Sequence, residues 1–155
     1  MEGENGLSNY LNARVVDGIP YLGLGLGAQT FSLRSLSYNV GADSKELKSY
    51  VDKNQHGVLP IQDIHHLSKE AAMAKMISVA FYSGGINLES FRRNFGITFQ
   101  EAFSEEVKYV IENELMEFTL GDLQLTEKGE QYYNGIIALF YSGSVKKHLI
   151  ELNHK

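Results

Sequence analysis

Apolar positions in the second half of the chain recur with the period of a helix. In SKEAAMAKMISVAF, Ala72, Met76, Val79 and Ala80 share one face, which predicts a helix opened by Ser68 and stopped by Gly84-Gly85. A short helix is expected from Asn87 through Leu88, Phe91 and Phe95 to Gly96. Thr98 and Glu101 form a capping-box pair at the head of TFQEAFSEEVKYVIENEL, where Phe103, Val107, Val110, Ile111 and Leu115 make a core stripe. The period then changes. Glu117–Leu120 and Leu123–Leu125 read as a hairpin turning at Gly121-Asp122. Thr126 caps a last long helix, EKGEQYYNGIIALF, and Gly143 or Ser144 breaks it before the amphipathic tail VKKHLIEL.

The first half is less regular. Residues 1–20 carry Gly3, Gly6, Gly18 and Pro20 and read as irregular. Tyr21–Leu24 and Gln29–Leu33 read as short strands on either side of a turn bearing Gly23, Gly25 and Gly27. Ser35–Ala42 reads as loop. Asp43 is expected to cap a helix to about Asn54, with Glu46 completing a capping box and Leu47, Tyr50 and Val51 as its stripe. The resulting fold class is α+β and mainly helical. A winged-helix-like domain (helix, short helix, helix, two-stranded wing, helix) follows a strand–turn–strand.

Composition narrows the chemistry. A chain of 155 residues, 43% hydrophobic, suits one globular domain with an appendage. No apolar run approaches the roughly 20 residues that span a bilayer. MEGENGLSNY is polar and acidic and has no signal-peptide core, so a cytoplasmic location is expected. A net charge of −5 argues against nucleic-acid binding by general electrostatics. The absence of cysteine removes disulfides, thiolate metal sites and cysteine nucleophiles.

YLGLGLGAQTF, Tyr21–Phe31, carries the sharpest signal. Alternate glycines bare one face of the segment, so another backbone or a flat ligand can approach. The spacing is not the dinucleotide fingerprint. The segment resembles the Y-L-G-x-G-x-G-A-H-S stretch near the end of the catalytic barrel in oxygen-independent coproporphyrinogen III oxidases and their heme-chaperone relatives. Asn9-Tyr10 lies where that family often has an N-Y-W-like stretch, and Arg34 and Asn39, one residue farther apart, loosely echo its R-x-x-x-N pattern. Farther on, INLESFRRNFG and LTEKG are similar to the L-x-x-F-x-x-x-F-G and L-T-x-K-G elements of the family's C-terminal domain. Gln29 departs from the histidine of the chaperone branch and from the aliphatic residue common in the oxidase branch, so both branches stay open.

The resemblance implies a carboxy-terminal region of a radical S-adenosylmethionine enzyme. Residues 1–42 would be the end of the barrel with a linker, and 43–155 the helical C-terminal domain. The parent would be an oxidoreductase that decarboxylates two propionates of coproporphyrinogen III, using a [4Fe–4S] cluster on C-x-x-x-C-x-x-C and S-adenosylmethionine. With no cysteine, this chain would hold no cofactor of its own, no metal and no catalytic residue, and alone would be inactive. Its partners would be the missing N-terminal barrel and a tetrapyrrole, with self-association through the barrel-facing surface. No nucleic acid or membrane partner is implied. Gly25, Gly27, Ala28 and Gln29 would wall the cofactor or substrate cleft, and Arg14 and Arg34 would hold substrate carboxylates.

Each of these residues also has a plain structural reading: a tight strand connection for the glycine turn, and solvated surface groups for the two arginines. His65-His66 invites a metal, but sequence neighbours point apart and chelate poorly. Tyr132-Tyr133 and Phe140-Tyr141 read as core packing with one ring of each pair outside. The wing also fits a DNA-binding regulator. The helix that would enter the groove carries Glu101, Glu105, Glu106, Glu112, Glu114 and Glu117 against Lys108, however, and would repel a duplex.

Overall fold

Ser8 opens the described part of the chain, which runs to residue 152 in the computed structural model. Helix α1 (Asn9–Leu11) passes into a π-helical turn, Asn12–Val16. The chain then forms two compact units: Pro20–Ala72, and a larger one made of the residues up to Ile19 and from Met73 onward. The division expected between residues 42 and 43 falls inside the smaller unit.

The smaller unit is built on a three-stranded antiparallel meander of β1 (Gln29–Ser32), β2 (Ser35–Asn39) and, after helix α2 (Leu47–Gln55), β3 (Ile61–His66). Gln29 pairs with Tyr38 and Ser32 with Ser35, and Ser35 in turn faces His66. Ser35–Asn39 is therefore strand rather than loop. Its apolar members, Leu36 and Tyr38, do alternate, but serines fill the positions between them. Tyr21 contributes a single antiparallel bridge to Phe31 in place of the expected strand. The capping box at Asp43 does not form. Lys45 has a φ of 58° and separates Asp43 from the helix, whose N-cap is Glu46 with no side-chain bond. The Asp43 carboxylate instead accepts from Gln62 Nε2 at 3.0 Å.

Helix α3 (Lys69–Ala80) runs through a 3-10 turn, Phe81–Ser83, to Gly84. Strand β4 (Gly85–Asn87) follows, and Asn87 then caps α4 (Leu88–Phe95) by accepting from the Ser90 amide at 2.8 Å. The Thr98–Glu101 capping box forms as the sequence predicts. It opens only α5 (Phe99–Ala102), because Phe103 at φ −135° breaks the stretch before α6 (Ser104–Glu112). Strands β5 (Met116–Thr119) and β6 (Asp122–Leu125) turn at Leu120-Gly121, one residue earlier than expected, both at positive φ (45° and 95°) as the turn geometry requires. β4 joins the other edge of β6, so this sheet has the order β4-β6-β5. Helices α7 (Glu127–Glu130), α8 (Tyr133–Leu139) and α9 (Gly143–Leu152) complete the unit.

Phenylalanines dominate the core of the larger unit. Phe81, Phe91, Phe99 and Phe140 are each at most 2% exposed. Phe99 meets Phe91 at 5.1 Å edge-on and Phe140 at 5.4 Å, the tilted geometries that aromatic quadrupoles favour. The N-terminal turn is tied to α4 through Asp17: its carboxylate accepts from Ser90 Oγ at 3.1 Å and pairs with Arg93 at 3.5 Å, and its carbonyl accepts from Asn94 Nδ2 at 2.9 Å.

Candidate functional site

The glycine turn of the smaller unit is held from inside by Asn39. This residue is 8% exposed, and its Nδ2 donates to the carbonyls of Gly25 (2.9 Å) and Gly23 (3.2 Å), while its amide donates to Ala28 O at 2.9 Å. Thr30 Oγ1 accepts from the Gly23 amide at 2.9 Å, and Val40 O accepts from the Gly27 amide at 2.9 Å. The amides of Gly23, Gly27 and Ala28 and the carbonyls of Gly23, Gly25 and Ala28 are thus given partners other than water.

The glycines are there for different reasons. A Cβ on Gly23 would stand 2.3 Å from the Gln29 carbonyl, and one on Gly27 would stand 2.9 Å from the Gly41 carbonyl, so both make room for the chain's own backbone. Gly25 differs. Its φ is 112°, and a Cβ there would meet nothing within 4 Å. Of the three glycines of the turn, Gly25 alone presents bare backbone to open space, as several glycines elsewhere in the chain also do. Leu22 and Leu24 flank it, 74% and 84% exposed.

Gln29 is committed within the turn. The Tyr21 phenol donates to its Oε1, and its Nε2 donates to the Tyr38 hydroxyl at 2.7 Å. The amide therefore fixes two phenols rather than reaching for a ligand, and those two phenols and Asn39 are the members of the site that the pattern of glycines did not single out. The signal was available as a cross-strand pair, since Gln29 and Tyr38 are register partners.

Gly25, Gly27, Ala28 and Gln29 thus come together in one loop. Arg34 does not join them. It sits in the turn where Ser32 meets Ser35, at the opposite end of the β1–β2 hairpin from Gln29, with its amide donating to Ser32 Oγ at 3.2 Å and its side chain exposed. Arg14 belongs to the larger unit, on the π-helical turn, where its Nη1 donates to the Tyr10 hydroxyl at 3.0 Å. His65 and His66 are exposed on β3, and the described residues contain no group of three or more His, Asp or Glu able to hold a metal ion. With no cysteine in the chain, the side chains present do not fit an iron–sulfur cluster. Among the described residues no helix is long and apolar enough to cross a membrane.

No family model and no curated protein sequence matches the chain. Among solved structures it is similar to coproporphyrinogen III oxidase (HemN) from Escherichia coli, described as a radical SAM enzyme, with a TM-score of 0.52 and 18% identity. The likeness covers 78% of this chain and 28% of that one. It is a likeness of fold, and this chain spans less than a third of the length of its neighbour.

Proposed function

We propose that the chain is the carboxy-terminal, non-cluster-binding region of a coproporphyrinogen III oxidase-like radical S-adenosylmethionine protein, and that it shapes or covers a tetrapyrrole cleft. The observation that supports this most is the fold likeness to the coproporphyrinogen III oxidase, which takes in most of this chain but under a third of the enzyme. The glycine turn and the L-T-E-K-G element, two separated segments, support the same reading. The [4Fe–4S] cluster and S-adenosylmethionine would supply the radical chemistry from another part of the assembly.

In this reading the loop residues Gly25, Gly27, Ala28 and Gln29 form a wall. Gly25 lets a flat ligand approach bare backbone, and Gln29 keeps the loop in shape by holding Tyr21 and Tyr38. Arg14 and Arg34 offer guanidinium groups to propionates, whose carboxylates they can grip with two parallel hydrogen bonds. Neither arginine performs a proton transfer, and no residue of this chain is catalytic.

The test is a titration with coproporphyrin III, the stable oxidised form of the substrate, followed by porphyrin fluorescence. Saturable binding is expected, weakened about tenfold in Arg34→Gln by loss of a charge-assisted pair. Absence of saturable binding contradicts the proposal.

A further inference from the structure

Beside the π-helical turn lies a cleft of about 480 Å³, lined by Leu11, Arg14, Val15, Lys75, Val79 and Tyr82. All six belong to the larger unit. Their spacing explains the shape. Leu11, Arg14 and Val15 stand one helical turn apart, as do Lys75 and Val79 on α3, with Tyr82 a turn farther on. Apolar side chains and the Tyr82 ring make the walls, the two cations stand among them, and among the described residues no carboxylate lines the cleft.

Lys75 is the anomaly. Its side chain is half-buried, yet among the described residues no acidic group lies within 4.0 Å of its ammonium and no hydrogen bond engages it. Burial, and then the charge of Arg14, push its pKa below the ordinary lysine value. An ammonium in such a place is expensive unless an anion meets it. The backbone adds a second sign. Asn12–Val16 is π-helical, with the Asp17 amide bonded to Asn12 O at 3.0 Å, and such turns are rare and concentrate at functional sites.

We infer that this cleft binds a carboxylate carried on an apolar body, with the carboxylate at Lys75 and Arg14 and the body along Leu11, Val15, Val79 and Tyr82. Such a carboxylate has two sources, a fatty acid or one propionate arm of a tetrapyrrole. The inference shares Arg14 with the reading given above and does not rest on it.

The experiment uses the full chain and a dansyl-labelled undecanoate, followed by its fluorescence enhancement. Saturable binding is expected, weakened about tenfold or more in Lys75→Met, since a hydrogen bond to a charged group is lost. Among the described residues, the charged and titratable groups that share the cleft with the ammonium are Arg14, with the Tyr10 phenol beside it, and Tyr82. Of these, Arg14 stays charged throughout, so binding should fall with rising pH as Lys75 deprotonates. Lys75→Arg should bind and carry that fall to higher pH, a shift that a purely structural lysine would not cause. Octanoate and coproporphyrin III are then used as competitors, and the stronger identifies the source. If coproporphyrin III fails to displace the probe while octanoate succeeds, the tetrapyrrole reading loses support and the cleft stands. Unchanged binding in Lys75→Met, no saturable binding at all, or displacement by inorganic phosphate as effective as by octanoate would overturn the inference.

Discussion

Gly129 lies against the backbone of Leu115, so close that a Cβ built on it would stand 1.9 Å from the Leu115 carbonyl oxygen. The rest of the L-T-E-K-G element serves the same junction. Thr126 Oγ1 donates to Glu114 O at 2.7 Å and accepts from the Gly129 amide at 3.0 Å, and Lys128 Nζ donates to Asn113 O at 2.8 Å. The element fastens the start of α7 to the end of α6. It is a signature of fold, and its residues need no ligand to explain them. Gly129→Ala must push backbone apart, so a loss of roughly 1–3 kcal/mol is expected in chemical denaturation, the range typical of overpacking. Thr126→Ala should lose about 1 kcal/mol as a cap. An alanine at 129 that leaves the midpoint unchanged would disprove the contact.

Asn39 holds the glycine turn through a pair of carbonyls. Asn39→Ala is expected to cost roughly 1–3 kcal/mol, because those carbonyls lose their donor inside the loop. Hydrogen exchange locates the effect: the Gly27 amide, bonded to Val40, should lose protection, while amides of β4 and β6 keep theirs. Uniform loss across both units, or none, would contradict this role.

The two units together show where the chain was legible. Helices with caps and apolar stripes were readable from local rules: Thr98 caps as expected, a helix opens at Asn87, and Gly84 and Gly96 end their helices. Elements made by long-range pairing were not. β3, IQDIHH, is almost wholly exposed and has no hydrophobic alternation, and β4 is three residues whose pairing with β6 no local pattern announces. The helix breaks at Phe103 and Tyr132 fall on residues that are neither glycine nor proline. The site divided the same way. The glycines stood out in the sequence and Asn39 was picked out there beside Arg34, whereas the bonds of Asn39 to the turn, the Gln29–Tyr38 pair and the opposing faces that bring Lys75 to Arg14 exist only once the chain is folded.

Glu101 gives a pH signature. The Thr98 hydroxyl and then the Thr98 amide, at 2.6 and 2.9 Å, hold its carboxyl below the ordinary carboxylate value. A depressed folded-state pKa means that the stabilisation is present above the unfolded value and is lost as pH falls through the lower one. Thr98→Ala should cost about 1 kcal/mol at neutral pH. In a carboxyl NMR titration the same variant should move the Glu101 value upward, towards the ordinary range, because the hydroxyl bond is lost while the residue-98 amide still donates. No upward movement would show that the capping box is not the cause.

Lys75 runs the other way. Its folded-state pKa is lowered, so the unfolded chain binds more protons between the two values, and stability rises with pH across that window. Below it the full penalty of a half-buried charge applies. Lys75→Met should therefore raise the melting temperature at neutral pH, by no more than about 2 °C once solvent screening is allowed for. The gain should shrink as pH climbs towards the ordinary lysine value. A lower melting temperature at neutral pH would mean that the amine is stabilised by a partner.

The central claim is that this region works against a cluster-bearing half. Its most direct test is immunoprecipitation of the native protein from its own cells under anaerobic conditions, followed by tandem mass spectrometry and iron analysis. The account predicts that peptides of this chain travel with a C-x-x-x-C-x-x-C segment, in one polypeptide or one complex, together with about four irons per cluster. Recovery of this chain with no such cysteine segment and no iron would contradict it.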